Sequence, residues 1–247
     1  MKTLMLALTT GAVLLSSGMM STVAFAAASP LADAGRPPED VARDAARKPM
    51  ELIAFSGLKA GDRVIDFIPA TGYWSKIFSG VVGPTGGVFA TVPAQVETRF
   101  APMTAKISEF AATHANVKVV IDKGSLAPAD GPVDMLWTAQ NYHDLYNGPN
   151  PGVITIVNKA VFAALKPGGV YLIIDHSAPA GSGVTDTNTL HRIDEAAVRK
   201  DVEAAGFVFD ASSDVLRNAA DTRMVNVFDP AIRGKTDQFV LKFHKPK

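Results

Sequence analysis

From residue 61 onward, short apolar runs alternate with longer segments whose apolar positions recur every three or four residues, the pattern of strands separated by helices. Val64, Ile65 and Phe67 make the first run. Pro69-Ala70-Thr71-Gly72 then turns the chain, and Tyr73, Trp74, Ile77, Phe78 and Val81 recur at helical spacing. The pattern predicts strands at 63–67, 87–92, 117–121, 133–138 and 170–175, with helices at 73–82, 96–114, 153–165 and 194–205. Strands joined by such helices need right-handed crossovers, which build a parallel sheet with helices on both faces. The tail differs: 206–211 and 238–244 are strand candidates separated by a polar stretch without helical periodicity, so an antiparallel hairpin is expected at the sheet edge. Ahead of the first strand, 39–55 reads as a charged amphipathic helix with Val41, Ala45, Pro49 and Ile53 on one side. Pro49 kinks or divides it near Lys48.

The first 26 residues have another character. Lys2 precedes a short apolar run that ends by Leu15, and Ala24-Phe25-Ala26 is a small-x-small cleavage site. Thr9, Thr10, Ser16, Ser17, Ser21 and Thr22 interrupt the run, whereas a membrane span needs about 20 apolar residues. A signal peptide at 1–26, a flexible leader at 27–38 and one domain at 39–247 are therefore expected, with export to a bacterial periplasm and no stable membrane span after processing. Absence of cysteine removes disulfides, thiolate metal sites and cysteine nucleophiles. The 24 basic and 24 acidic residues balance, so charge offers no argument for nucleic acid or an anionic membrane. A small molecule is the expected partner, and the oligomeric state is left open.

Ionisable residues collect where the predicted strands end, the edge at which open α/β sheets bind ligands. Asn141, Tyr142, His143 and Asp144 follow the fourth strand directly, and Asp175-His176 ends the fifth. Asn141 can donate and accept hydrogen bonds, His143 can move a proton near neutral pH, and Asp144 can fix its tautomer. His176 joins them if the two strands are adjacent, which makes His143, His176 and Asn141 the candidate catalytic residues. A segment carrying His191 and Arg192 must cross back over the same edge. Tyr142, Asp144, His191 and Arg192 are candidate substrate-binding residues, Arg192 by bidentate contact with a carboxylate or phosphate. The three histidines, with Asp144, Asp175 and Asp194, have the ligand types of a transition-metal site. No pair has helical His-x-x-x-His spacing, so no metal ligand is assigned, and Asp194 is expected to cap the following helix. His114 and His244 receive no role.

Several stretches resemble class I S-adenosylmethionine-dependent methyltransferases. Gly61-Asp62-Arg63-Val64-Ile65-Asp66 resembles the family's first strand, Val133-Asp134-Met135-Leu136-Trp137 its fourth, and Ala164-Leu165-Lys166-Pro167-Gly168-Gly169-Val170 its turn into the fifth. The likeness runs from about residue 39 to the C-terminus. More narrowly, Asn141-Tyr142-His143-Asp144, Asp175-His176-Ser177-Ala178 and Leu190-His191-Arg192-Ile193-Asp194 resemble an exported group of predicted methyltransferases. The resemblance implies a Rossmann-like methyltransferase fold and S-adenosylmethionine as cofactor, held by Asp66, Pro69, Thr71, Gly72 and Tyr73. Two departures stand out. Ile68 and Ala70 occupy two positions that are glycine in the family's loop. Thr91-Val92-Pro93-Ala94 stands where the second strand usually ends in a ribose-binding acid, so weak cofactor binding is expected. A non-methylating binding module, or a lyase or hydrolase using the His and Asp cluster, are the alternatives on the same fold.

Overall fold

The computed structural model describes residues 30–32, 35–150 and 152–247. The expected signal peptide lies outside them. Seven strands form one sheet in the order β3-β2-β1-β4-β5-β7-β6. They are β1 (Arg63–Phe67), β2 (Gly87–Pro93), β3 (Val117–Asp122), β4 (Val133–Ala139), β5 (Leu165–His176), β6 (Val208–Ser213) and β7 (Gln238–His244). The first five run parallel, and β7 pairs antiparallel with both β5 and β6, as the change of pattern at the tail predicts.

Three short helices precede β1: α1 (Pro38–Val41), α2 (Asp44–Arg47) and α3 (Pro49–Ser56). One division falls at Lys48, which takes the left-handed conformation at φ 44° just before Pro49. The crossovers are α4 (Tyr73–Val82), α5 (Glu97–Ala111) and α6 (Val153–Ala164), and α7 (Glu195–Ala204) precedes β6. Asp194 caps α7 by accepting from the Ala196 N–H, as expected. β5 begins five residues before its apolar run does. Leu165 pairs with Val133, and the Lys245 N–H donates to Gly169, so the Pro-Gly-Gly stretch is held inside the sheet instead of turning outside it.

Both sheet faces are covered. α3, α4 and α5 bury Leu52, Trp74, Ile77, Phe78 and Ile107 against one face, and α6 and α7 bury Val161, Val198 and Val202 against the other. Among the described residues no helix is long and apolar enough to cross a membrane. From β1 the chain first builds outward through β2 to β3, then returns to β1's other side with β4. That reversal opens a crevice between the carboxyl ends of β1 and β4, where ligands of such sheets bind.

Candidate active site

The β1 side of the crevice is the loop from Ile68 to Gly72. Ile68 (φ 57°), Ala70 (φ 50°) and Gly72 (φ 80°) all take the left-handed conformation. Ile is rarely found there, because its branched Cβ crowds the following carbonyl. The backbone thus follows a glycine-type path through two positions that are not glycine. Gly72 is required on both counts of angle and space, since a Cβ would come within 2.3 Å of Ile107 Cδ1.

Beneath the loop, Asp66 is 2% exposed and accepts from Ser75 Oγ at 2.6 Å. Burial pushes its carboxyl up to about 6, against the Ser75 hydrogen bonds and the positive field of Arg47. Arg47, at the end of α2, lies 4.5 Å over the Tyr73 ring and donates to Gln140 Oε1 at 2.9 Å. Among the described residues it has no ion pair, and burial lowers it to about 10. Tyr73 donates to Asp44 at 2.7 Å, and Asp44 is paired at 2.5 Å with Arg36, a buried residue in the expected leader. Lys76 joins Asp40 at 2.8 Å to the Thr71 carbonyl at 2.9 Å. The N-terminal segment is thereby fastened over the loop, with Arg47 as its unpaired cation. A charged helix reads as a solvated surface in sequence. The closely spaced Arg36, Asp40, Asp44 and Arg47 were the available signal of something more.

On the β4 side, the turn at residues 143–146 and the end of β5 meet. Asp175 is fully buried, and its carboxylate accepts from the His143 backbone N–H, the His143 Nδ1 and the His176 backbone N–H, each at 2.8 Å. Burial pushes Asp175 upward, but the imidazole beside it and these hydrogen bonds outweigh that and hold it below the ordinary carboxylate range. Burial lowers His143 as well, and its pairing with Asp175 reverses the sign, leaving it raised above 6.5. Asp175, rather than Asp144, fixes the His143 tautomer, because the adjacent strand end delivers the carboxylate to Nδ1. Nε2 then faces His191 Nδ1 at 3.3 Å and Asp144 Oδ1 at 3.5 Å. His191 reaches this point because residues 176–178 pair with 193, the Ile193 N–H donating to the His176 carbonyl and the Ala178 N–H to the Ile193 carbonyl. His191 is itself left-handed, at φ 54°.

The remaining expected residues divide. The His143 and His176 rings lie 6.1 Å apart. His176 Nδ1 shares a hydrogen bond with Thr236, and burial first, then the nearby cations, lowers it to about 4, so it stays neutral and is a weak base. The Asn141 side chain donates to the carbonyls of Phe67, Ile68 and Ala139 and accepts from Thr138, which makes it a brace between the two loops. Tyr142 is a core residue whose hydroxyl accepts from Asn158 at 2.9 Å. Arg192, 0% exposed, pairs with Asp221 at 2.9 Å and donates to the Ser177 and Val225 carbonyls, so its fork holds the loop and is not free for substrate. Pro69 is buried under the loop and Thr71 lends its carbonyl to Lys76. A cavity of about 670 Å³ opens at the opposite, amino-terminal edge, where Arg63 and Lys118 both pair with Asp130.

The residues fit S-adenosylmethionine at one end only. A buried acid and an unpaired guanidinium flank a loop of glycine-type backbone, as an α-amino-acid moiety requires. At the end of β2, Val92 is buried and Thr91-Val92-Pro93-Ala94 offers no carboxylate for a ribose, while Asp122, in register with Pro93, accepts from the Gly124, Ser125 and Leu126 N–H groups.

No protein-family model matches the chain, and no curated protein matches it in sequence. Solved structures do match in fold. An S-adenosylmethionine-dependent methyltransferase from Aquifex aeolicus aligns at 19% identity over 82% of this chain and 97% of its own, with a TM-score of 0.55. Fibrillarin from Aeropyrum pernix, in complex with natively bound S-adenosyl-L-methionine, aligns at 17% identity over 81% and 76%, with a TM-score of 0.50. The [4+2]-cyclase SpnF aligns at 18% identity over 82% and 81%, with a TM-score of 0.58. At these identities the likeness establishes architecture and not reaction. The chain has the Rossmann-like fold of the class I methyltransferases.

Proposed function

We propose that this is an S-adenosylmethionine-dependent enzyme that acts on a small molecule in the bacterial periplasm, with methyl transfer as its reaction. The charged start, apolar run and Ala-x-Ala site support export. The observation that carries the reading is the crevice itself: Arg47, with no ion pair among the described residues, and Asp66 beside the positive-φ loop, with the Asp175–His143 pair on the next strand end. Arg47 takes a carboxylate and Asp66 an ammonium, the two charges of an amino-acid end. Bound there, S-adenosylmethionine supplies a sulfonium-activated methyl group, and most of the catalysis is alignment. His143 accepts the acceptor's proton at Nε2 while Nδ1 keeps its bond to Asp175, which holds the ring and stabilises the imidazolium.

Calorimetric titration of the processed protein with S-adenosylmethionine and its demethylated product tests this. Binding in the range of about 10–100 μM is expected, weak because the ribose acid is absent, and Arg47→Ala should weaken it about tenfold or more. No heat with either compound removes the cofactor reading. The Asp175–His143 pair would then favour the second reading, a His and Asp-dependent lyase or hydrolase, since that pair needs no cofactor to move a proton.

A further inference from the structure

Three atoms beside the crevice lie close to an equilateral triangle. His143 Nε2 is 3.3 Å from His191 Nδ1, Asp144 Oδ1 is 3.5 Å from that Nε2, and 3.6 Å separates Asp144 Oδ1 from His191 Nδ1. Among the described residues these three side chains are the group of His and acidic residues close enough to share an ion. A point equidistant from all three and slightly out of their plane is about 2.1 Å from each, the bond length of zinc to imidazole nitrogen and carboxylate oxygen. Ligand atoms at that distance stand about 3.4 Å apart around a tetrahedral centre and about 3.0 Å apart when adjacent around an octahedral one, so the triangle matches a tetrahedral face.

We propose that His143 Nε2, His191 Nδ1 and Asp144 Oδ1 bind one divalent ion of the zinc class, with the fourth position open toward the crevice. Two further features belong to such a centre. Asp175 receives the other ring nitrogen of His143 at 2.8 Å, and a carboxylate behind a ligating imidazole fixes its tautomer and raises its basicity. Phe228 packs edge-on against His191 at 4.8 Å, an apolar wall on the outer side. Three protein ligands with an open position are the arrangement of catalytic rather than structural zinc. Ion and proton compete for the Nε2 lone pair, so His143 acts as the proton acceptor in the metal-free protein and as a ligand in the loaded one. The site stands whether or not S-adenosylmethionine binds.

The experiment uses the metal alone. Processed protein stripped with chelator is titrated with zinc chloride by calorimetry, and with cobalt chloride while the visible spectrum is recorded. One ion per chain and the intense absorption of four-coordinate cobalt are expected. His191→Ala and Asp144→Ala, both at the partly exposed rim, should each weaken binding about 100-fold or abolish it. Asp175→Asn should weaken it about 10–100-fold, the usual effect of losing such a partner. His244→Ala, at the far end of β7, should bind as the parent does. No stoichiometric uptake, or uptake unchanged in both rim variants, would overturn the site; the second result would mean an adventitious ion only. A weak, six-coordinate cobalt spectrum would overturn its tetrahedral geometry.

Discussion

The two sides of the crevice keep different things. On the β1 side the backbone takes a path that suits glycine better than the residues it carries: Ile68 and Ala70 hold left-handed angles that glycine would hold without strain. On the β4 and β5 side Gln140 and His191 are left-handed as well, but the side chains carry the chemistry, with Asp175, His143, His191 and Asp144 in one connected cluster. A loop can keep its course while its residues drift, because neighbours fix it from outside; here Asn141 holds the Phe67 and Ile68 carbonyls and Lys76 holds that of Thr71. A buried ionic cluster has no such tolerance, since each charge is stable only with its partner present. The cluster is therefore the more demanding half of the site, and the loop the more permissive.

The largest expected effect comes from breaking the cluster at its centre. Asp175→Ala leaves three buried donors without an acceptor and should destabilise the protein by about 3–5 kcal/mol, the usual consequence of removing one partner of a buried pair. Denaturant titration measures it. Asp175→Asn keeps the shape and removes the charge, so His143 should titrate lower, an effect visible by NMR of the ring protons. The folded-state pKa of His143 is raised, so its pairing stabilises the fold fully below pH 6.5 and is lost as pH rises through the folded value. Asp175 is depressed, so its contribution is present above about 3.8 and is lost only in stronger acid. In any assay of turnover by the metal-free protein, the acidic limb should follow His143 and move to lower pH in Asp175→Asn.

Next in size is Asp66, where function and stability oppose each other. Burial raises its carboxyl from 3.8 to about 6, so the fold binds the proton more tightly than the unfolded chain does. Stability falls between about pH 4 and 6 and then stays reduced as the buried anion persists. Asp66→Asn, which can keep a hydrogen bond to Ser75, should be more stable than the parent by about 3 kcal/mol at pH 7.5 and close to it at pH 4, since each pKa unit is about 1.4 kcal/mol. Thermal melts at the two pH values give the comparison. The same change should weaken binding of any ligand that carries an ammonium group. A variant that is less stable at pH 7.5 would mean that Arg47 compensates the carboxylate more fully than the burial suggests.

The order of legibility follows the same physics. Strand periodicity is local, so the parallel sheet and the closing hairpin can be read from residue spacing. The sequence shows the three histidines and Asp144 as possible ligand types near one edge, but the meeting of His143 with His191 needs the pairing of residues 176–178 with 193, which spacing does not contain, so which atoms converge could not be read from it. Tyr142 and Arg192 look like site residues from their neighbours in sequence, yet adjacent residues point to different surroundings. Arg192 finds Asp221, far along the chain in a polar stretch that carries no periodic signal. Arg47 was hidden in the opposite way, as one more charge on a charged helix, until its lack of a counter-ion became visible in three dimensions.

The smallest stability effect should come from repairing the permissive loop. Ala70 is exposed, so changing it alters no packing. Its left-handed angle costs about 1–2 kcal/mol for an L residue, and glycine removes that strain while adding about 0.5–1 kcal/mol of unfolded-chain entropy. Ala70→Gly should therefore shift stability by between zero and about 1.5 kcal/mol, toward greater stability. Ligand binding should respond more, because removing the Cβ lets the ligand approach a backbone already in the required conformation. Calorimetry with the demethylated product should show tighter binding by Ala70→Gly than by the parent, and tighter again when Ile68→Gly is added. If stability rises while affinity stays fixed, the loop's strain is a structural residue of its path and the ligand lies elsewhere in the crevice. If both rise together, the two halves of the site are parts of one binding surface, with the loop setting its strength and the histidine cluster its chemistry.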